Sequence, residues 1–186
     1  MFKYWLLTIF FSLGVVSEAI AQEVGFKTNV LYDATATINL GVEVKLGTKT
    51  TLELPVNYNP WGAKKDKKLK HFLVQPEIRH WTCQAFTGHF FGIHAHYAVY
   101  NIAGKTPFTY MKNHRVEGWL TGVGLSYGYH WILSDRWAVE ATLGVGYAYV
   151  NYDSYGIGCC EPLKDSGVKH YFGPTKAGVS FIFMIK

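Results

Sequence analysis

The chain has 186 residues, 49% hydrophobic and 17% aromatic, with only 17% charged and a net charge of +5. A soluble domain carries about a quarter charged residues, so water is not the expected cover for its whole surface. Beyond residue 21 no run reaches the roughly 18–20 apolar residues of a transmembrane helix. A helical membrane protein and a disordered or fibrous chain are excluded, which leaves a globular β protein or a membrane barrel.

Residues 1–21 open with Lys3, run through an apolar stretch from residue 4 to 16 and end on Ala19-Ile20-Ala21. This predicts a secretory signal cleaved before Gln22. No Cys follows the cleavage point, so it does not read as a lipoprotein signal. Residues 22–186 are then one exported domain, in which most of the aromatic residues lie.

From Gln22 onward apolar and polar residues alternate with period two, the pattern of half-buried strands. Eight segments show it: 24–33, 39–46, 50–58, 72–81, 89–99, 116–131, 137–152 and 171–185. In the sixth, Trp119, Thr121, Val123, Leu125, Tyr127, Tyr129 and Trp131 share one face, with Leu120, Gly122, Gly124, Ser126, Gly128 and His130 on the other. Side-chain volume says which face is inside. An eight-stranded barrel has an interior just wide enough for side chains, and the Trp- and Tyr-bearing faces would not all fit there. Turned outward they meet lipid, which predicts an all-β, eight-stranded antiparallel up-and-down transmembrane barrel of the outer-membrane type. Trp119 and Trp131 then lie about 28 Å apart along the membrane normal, and Trp137 with Tyr147 and Tyr149 repeats the spacing, as aromatic girdles would. Short connections at 47–49, 82–88 and 132–136 alternate with those at 34–38, 59–71, 100–115 and 153–170, three of which are long, the asymmetry of periplasmic turns and outer loops.

The stretches KTNVLYDATATINLGVE (residues 27–43), YNPW (58–61), FLVQPEIRHW (72–81), GHFFGIHAHYAVYN (88–101), VEGWLTGVGLSYGYHWILSDRW (116–137) and YFGPTKAGVSF (171–181) carry this reading. Together they resemble an uncharacterised family of small exported outer-membrane proteins of Bacteroidetes, the domain of unknown function numbered 3575. The resemblance implies an outer-membrane barrel of a Gram-negative bacterium and brings no activity, cofactor or catalytic residue. Two features depart from the pattern. Cys159 and Cys160 are adjacent where members carry two spaced cysteines, and Met184-Ile185-Lys186 follows Phe183 where the barrel-assembly signal ends on an aromatic residue.

The inward face collects Lys27, Glu43, Lys45, Glu53, Glu77, Arg79, His94, His96, Glu117, His130, Glu140 and Lys176. Acids and bases in similar number, cut off from water, read as a salt-bridged lumen network. His94 and His96, two apart on one face, could share a metal ion but lack a third ligand by spacing. Ser126, His130 and Glu140 have the residue types of a hydrolase triad without a nucleophile motif, so no catalytic residue, metal or cofactor is expected. An oxidising exterior would permit a vicinal disulfide between Cys159 and Cys160, with an intermolecular link as the other use of the odd thiol. Cys83, in a periplasmic turn, is separated from them by the membrane. Lys64, Lys65, Lys67, Lys68 and Lys70 concentrate positive charge in one outer loop, suited to lipopolysaccharide phosphates or an acidic surface polymer or protein. The expected role is structural or surface interaction, with outer-membrane lipid and lipopolysaccharide around the barrel, the barrel-assembly machinery as partner in biogenesis, and no nucleic acid. A barrel-based lipid-modifying enzyme and a soluble periplasmic ligand-binding barrel are the alternatives.

Overall fold

Alternating β-branched, aromatic and glycine residues leave the chain few ways to bury its polar backbone except in a ladder of extended strands. A computed structural model describes residues 23–61, 68–104, 114–156 and 162–185. The proposed signal, Lys64, Lys65, Lys67, Cys159 and Cys160 lie outside the described residues. The strands are β1 (Val24–Asn29), β2 (Ile38–Lys45), β3 (Thr50–Asn59), β4 (Lys68–Val74), β5 (Glu77–Trp81), β6 (Gly88–Ala103), β7 (His114–Ile132), β8 (Trp137–Gly156) and β9 (Leu163–Ile185). Every pairing is antiparallel, and β1 pairs with both β2 and β9, so the sheet closes on itself.

β4 and β5 are two parts of one stave, since both pair with β3 on one side and β6 on the other. The ladder breaks at Gln75-Pro76 because Pro76 has no N–H to give, although its carbonyl still accepts from Ala95 N at 3.0 Å. The result is the closed eight-stranded antiparallel barrel that the alternation predicts. The expected first strand is shorter than its pattern. After Asn29 the chain makes one helical turn, α1 (Val30–Asp33), with the Asn29 side chain accepting from Leu31 N at 3.1 Å.

Both described ends of the chain and three short turns gather at one end of the barrel, and the longer connections at the other; these are called the turn end and the loop end. The late strands reach further toward the loop end than the hydrophobic pattern indicates. β8 runs to Gly156 and β9 starts at Leu163, so polar residues such as Asp153, Ser154, Lys164 and Asp165 are in strand. Lys68 and Lys70 likewise belong to β4 rather than to a loop.

Side-chain parity follows the expected faces with two corrections. Glu117 shares the face of Trp119, not that of Val116, and at the outer rim accepts from Asn101 Nδ2 at 2.7 Å and Arg115 Nη2 at 3.3 Å. In β9 the pairing slips between Gly144/Val145, where Thr175 is the extra residue. This bulge reverses the alternation, so Tyr171 and Lys169 pair with the inward positions Ala148 and Val150.

The lumen is layered. At the turn end Trp81, Phe86, Phe90, Ile182 and Met184 form a buried apolar plug. The expectation that bulky residues all face outward is therefore too simple. Phe86 adopts φ +62° to turn its ring inward beneath Trp81, 5.9 Å away. Above the plug lies a charged layer, and above that, toward the loop end, a cavity.

Candidate functional site

The charged layer is built by register. β2 and β3 place Glu43 opposite Glu53, and β3 and β5 place Glu53 opposite Glu77. Three like charges in one hydrogen-bonded row repel each other, so the row stands only with cations set among it. Arg79 supplies the first. Its Nε donates to Glu77 at 2.6 Å, its Nη1 to Glu43 and Glu140 at 3.0 Å each, and its Nη2 to Glu53. The planar, five-donor guanidinium is the side chain able to meet four carboxylates at once. Phe90 from the apolar plug lies beneath it, with Cζ 4.3 Å from the ring centroid.

Two lysines complete the layer. Lys27 of β1 donates to Glu140 at 2.8 Å and pairs with Glu43 and, at 3.5 Å, with Glu53. Lys176 of β9 donates to Glu53 at 2.8 Å and Glu77 at 2.6 Å. Neutral donors take up further lone pairs, with Ser126 bonded to Glu77 at 3.0 Å, Thr142 to Glu140 at 2.9 Å, and Thr51 to Glu43. Strands β1, β2, β3, β5, β8 and β9 thus meet at one hub. Glycines on β6 and β7 make the space. A side chain at Gly124 would lie 2.6 Å from His94 Nε2, and one at Gly92 would collide with Glu77. The crevice beside Lys27, Arg79 and Lys176 has a volume of only about 30 Å³, enough for a water or two. Chemically the hub can brace the wall and fill the bore; it leaves no space for a substrate.

Of the twelve residues expected on the inward face, Glu43, Glu53, Glu77, Arg79, His94, His96, His130 and Glu140 are buried in the lumen, and Lys176 joins them by its ion pairs. Lys27 belongs with them. Lys45 does not, since it sits at the turn-end mouth, 3.3 Å from Glu23. The histidines stand at the margin. His94 Nε2 and Thr175 Oγ1 lie 3.0 Å apart, and His130 Nδ1 is 3.6 Å from Glu140. The His94 and His96 rings are 5.7 Å apart, and no group of three metal-ligating side chains forms among the described residues. Ser126, His130 and Glu140 are not assembled as a triad, because Ser126 is bonded to Glu77 and Glu140 to Arg79 and Lys27.

The aromatic positions lie on the outer wall. Trp119 packs on Tyr149 at 5.7 Å toward the loop end, and Tyr147 stacks on His170. Trp131 meets Tyr129 at 4.7 Å and Trp137 meets Phe183 at 5.0 Å toward the turn end. Asn59 and Trp61 tie the α1 connection to the end of β3, Trp61 Nε1 donating to Ala36 O at 2.8 Å and Asn59 Nδ2 to Thr37 Oγ1 at 2.9 Å. Cys83 is free and exposed in the turn between β5 and β6. Sequence reasoning missed the apolar plug and the hydroxyl donors. Trp81 and Phe90 carried the needed signal, since both share the parity of Arg79 and Gly92.

No curated protein and no solved structure matches this chain. The family of proteins of unknown function DUF3575 matches it over residues 6–185, and the chain, which folds as a small eight-stranded barrel with an ion-paired lumen, belongs to that family.

Proposed function

We propose that this protein is a small outer-membrane barrel, exported after loss of residues 1–21, that spans the membrane without conducting solutes and presents its loop end to the cell surface. The observation that carries the reading is the outer wall. Leu40, Leu54, Ile78, Ile93, Leu125 and Leu143 stand exposed on successive strands, with Ile93 at 66% and Leu125 at 61%. An exposed apolar surface of this continuity belongs against another apolar phase, and the aromatic positions flank it at both ends as interfacial girdles do. Lipid is the partner of this wall, and the barrel-assembly machinery its route of insertion. The hub and the plug support a closed bore, and the role left to the molecule is structural or one of surface interaction. Lys64, Lys65, Lys67, Lys68 and Lys70 would draw the loop end to lipopolysaccharide phosphates or an acidic surface polymer or protein.

Fractionation of expressing cells tests this. The protein is expected in the outer-membrane fraction, migrating faster in SDS when unboiled than when boiled, and adding no steady conductance to a planar bilayer. A protein released without detergent, with identical boiled and unboiled migration, would instead be the soluble ligand-binding barrel. An altered lipid A or phospholipid profile that depends on Ser126 and His130 would make it an enzyme.

A further inference from the structure

The loop-end part of the lumen contains a cavity of about 560 Å³, within the range of about 300–1,000 Å³ usual for small-molecule sites. Its wall runs against the rule for such barrels. Membrane barrels keep polar residues inside, yet here the inward positions Leu73, Ile102, Val116, Leu120, Ala148 and Val150 line the space. Water against these side chains finds no hydrogen-bond partner, so the wall favours an apolar occupant.

Among the described lining residues the charge comes from Lys169. Lys169, His71 and His96 line it, and no Asp or Glu is among its described lining residues. Lys169 is held with Nζ 4.7 Å over the ring of Tyr152, whose hydroxyl donates to Asp165 outside the cavity. His96 is 5% exposed, and its Nδ1 has no hydrogen-bond partner among the described residues. The β9 bulge contributes directly, since it brings Lys169 and Tyr171 to the inside and leaves Thr175 facing the cavity.

The ionic hub and apolar plug lie between the cavity and the turn end, so a ligand enters from the loop end or through the wall. His71 and Tyr100 line both the cavity and a cleft on the outer surface of β3, β4, β6 and β7. The cavity therefore comes close to the surface that would meet lipid. We infer that the loop-end cavity binds an acyl chain bearing a carboxylate or comparable anionic group, with the chain against Leu120 and Val150 and the anion near Lys169. Its source is either a free fatty acid or the acyl chain of a membrane lipid. The site goes beyond a structural or surface-interaction role, and only the lipid source rests on the membrane reading.

The test uses the full mature chain in lipid nanodiscs, with its heat-modifiable migration confirming the folded barrel. Dodecanoate carrying a chain-end diazirine is photocrosslinked and mapped by peptide mass spectrometry, alongside a phospholipid carrying the same group. Labels are expected on Leu120, Val150 and Ile102, displaced by unlabelled dodecanoate about tenfold better than by dodecanol. Lys169→Gln should abolish that preference. Leu120→Glu and Val150→Trp should each remove the lumen labels while keeping heat-modifiable migration. Lumen labelling by the phospholipid probe makes membrane lipid the source, and labelling by the free acid alone makes it a soluble acid. Labels from both probes confined to outward residues such as Trp119 and Val123, on a barrel that still migrates as folded, would overturn the site. Loss of heat-modifiable migration in the unaltered protein would instead count against the barrel in the membrane.

Discussion

Arg79 is the side chain on which the lumen depends. It has no exposed surface and holds four carboxylates. Breaking a buried ion pair from one side costs about 3–5 kcal/mol, because the remaining charge is left in a poorly solvated place. Arg79→Met should lower the unfolding free energy obtained from urea titration of the heat-modifiable form by that order, and Arg79→Lys should fall between it and the unaltered protein, since one ammonium cannot span the set. Gly124→Leu should be comparably damaging in the same measurement, by driving a side chain into His94. The members of the hub were legible from period-two parity alone, because a strand has only two faces. Their partners were not legible, since which of Glu43, Glu53, Glu77 and Glu140 meets which cation depends on register between distant strands. Parity counting also fails by a single step, and the misplacement of Glu117 came from such a step.

Elements were readable where an apolar outer wall or the core marks them. β2, β3 and the middle of β6, β7 and β8 alternate cleanly, and their expected limits lie within a few residues of those found. Beyond the apolar band a strand needs only its ladder hydrogen bonds, so β8 and β9 continue through polar residues without a hydrophobic signal. The Thr175 bulge was also invisible, because an extra residue shows only against a partner strand. Deleting Thr175 should turn Lys169 and Tyr171 toward lipid and Phe172 inward. Exposing Lys169 to lipid costs up to about 2–4 kcal/mol at the midplane and less near the interface. The expected outcome is loss of the heat-modifiable band and of lumen crosslinking, whereas Thr175→Gly, which keeps the residue count, should retain the band.

The whole molecule has an up and a down that labelling can read. Short turns, both described chain ends and Cys83 share one end, and the proposed orientation puts that end in the periplasm. With Cys159 and Cys160 replaced by Ser, a membrane-impermeant maleimide should leave Cys83 unmodified in intact cells and modify it once the outer membrane is permeabilised. Modification in intact cells would reverse the orientation. Period-two alternation and side-chain volume were enough to arrive at a barrel, and the connection lengths agreed. The three-layered lumen was out of reach, because an apolar inward residue and an apolar outward one look the same in a sequence until the walls are assembled.

The ionic hub also bears on the order of events by which the wall closes. Lys27 and Glu140 are 113 residues apart, Lys176 and Glu53 are 123 apart, and Lys176 and Glu77 are 99 apart. Arg79 can meet Glu77, Glu53 and Glu43, and Lys27 can meet Glu43, within the neighbouring strands β1 to β5, but the three distant pairs wait for β8 and β9. Contacts of such separation are late and entropically costly to form. One half of the hub therefore acts as a latch on ring closure: the links of Glu140 and Lys176 to the early strands stabilise only the species in which the first and last strands have already met.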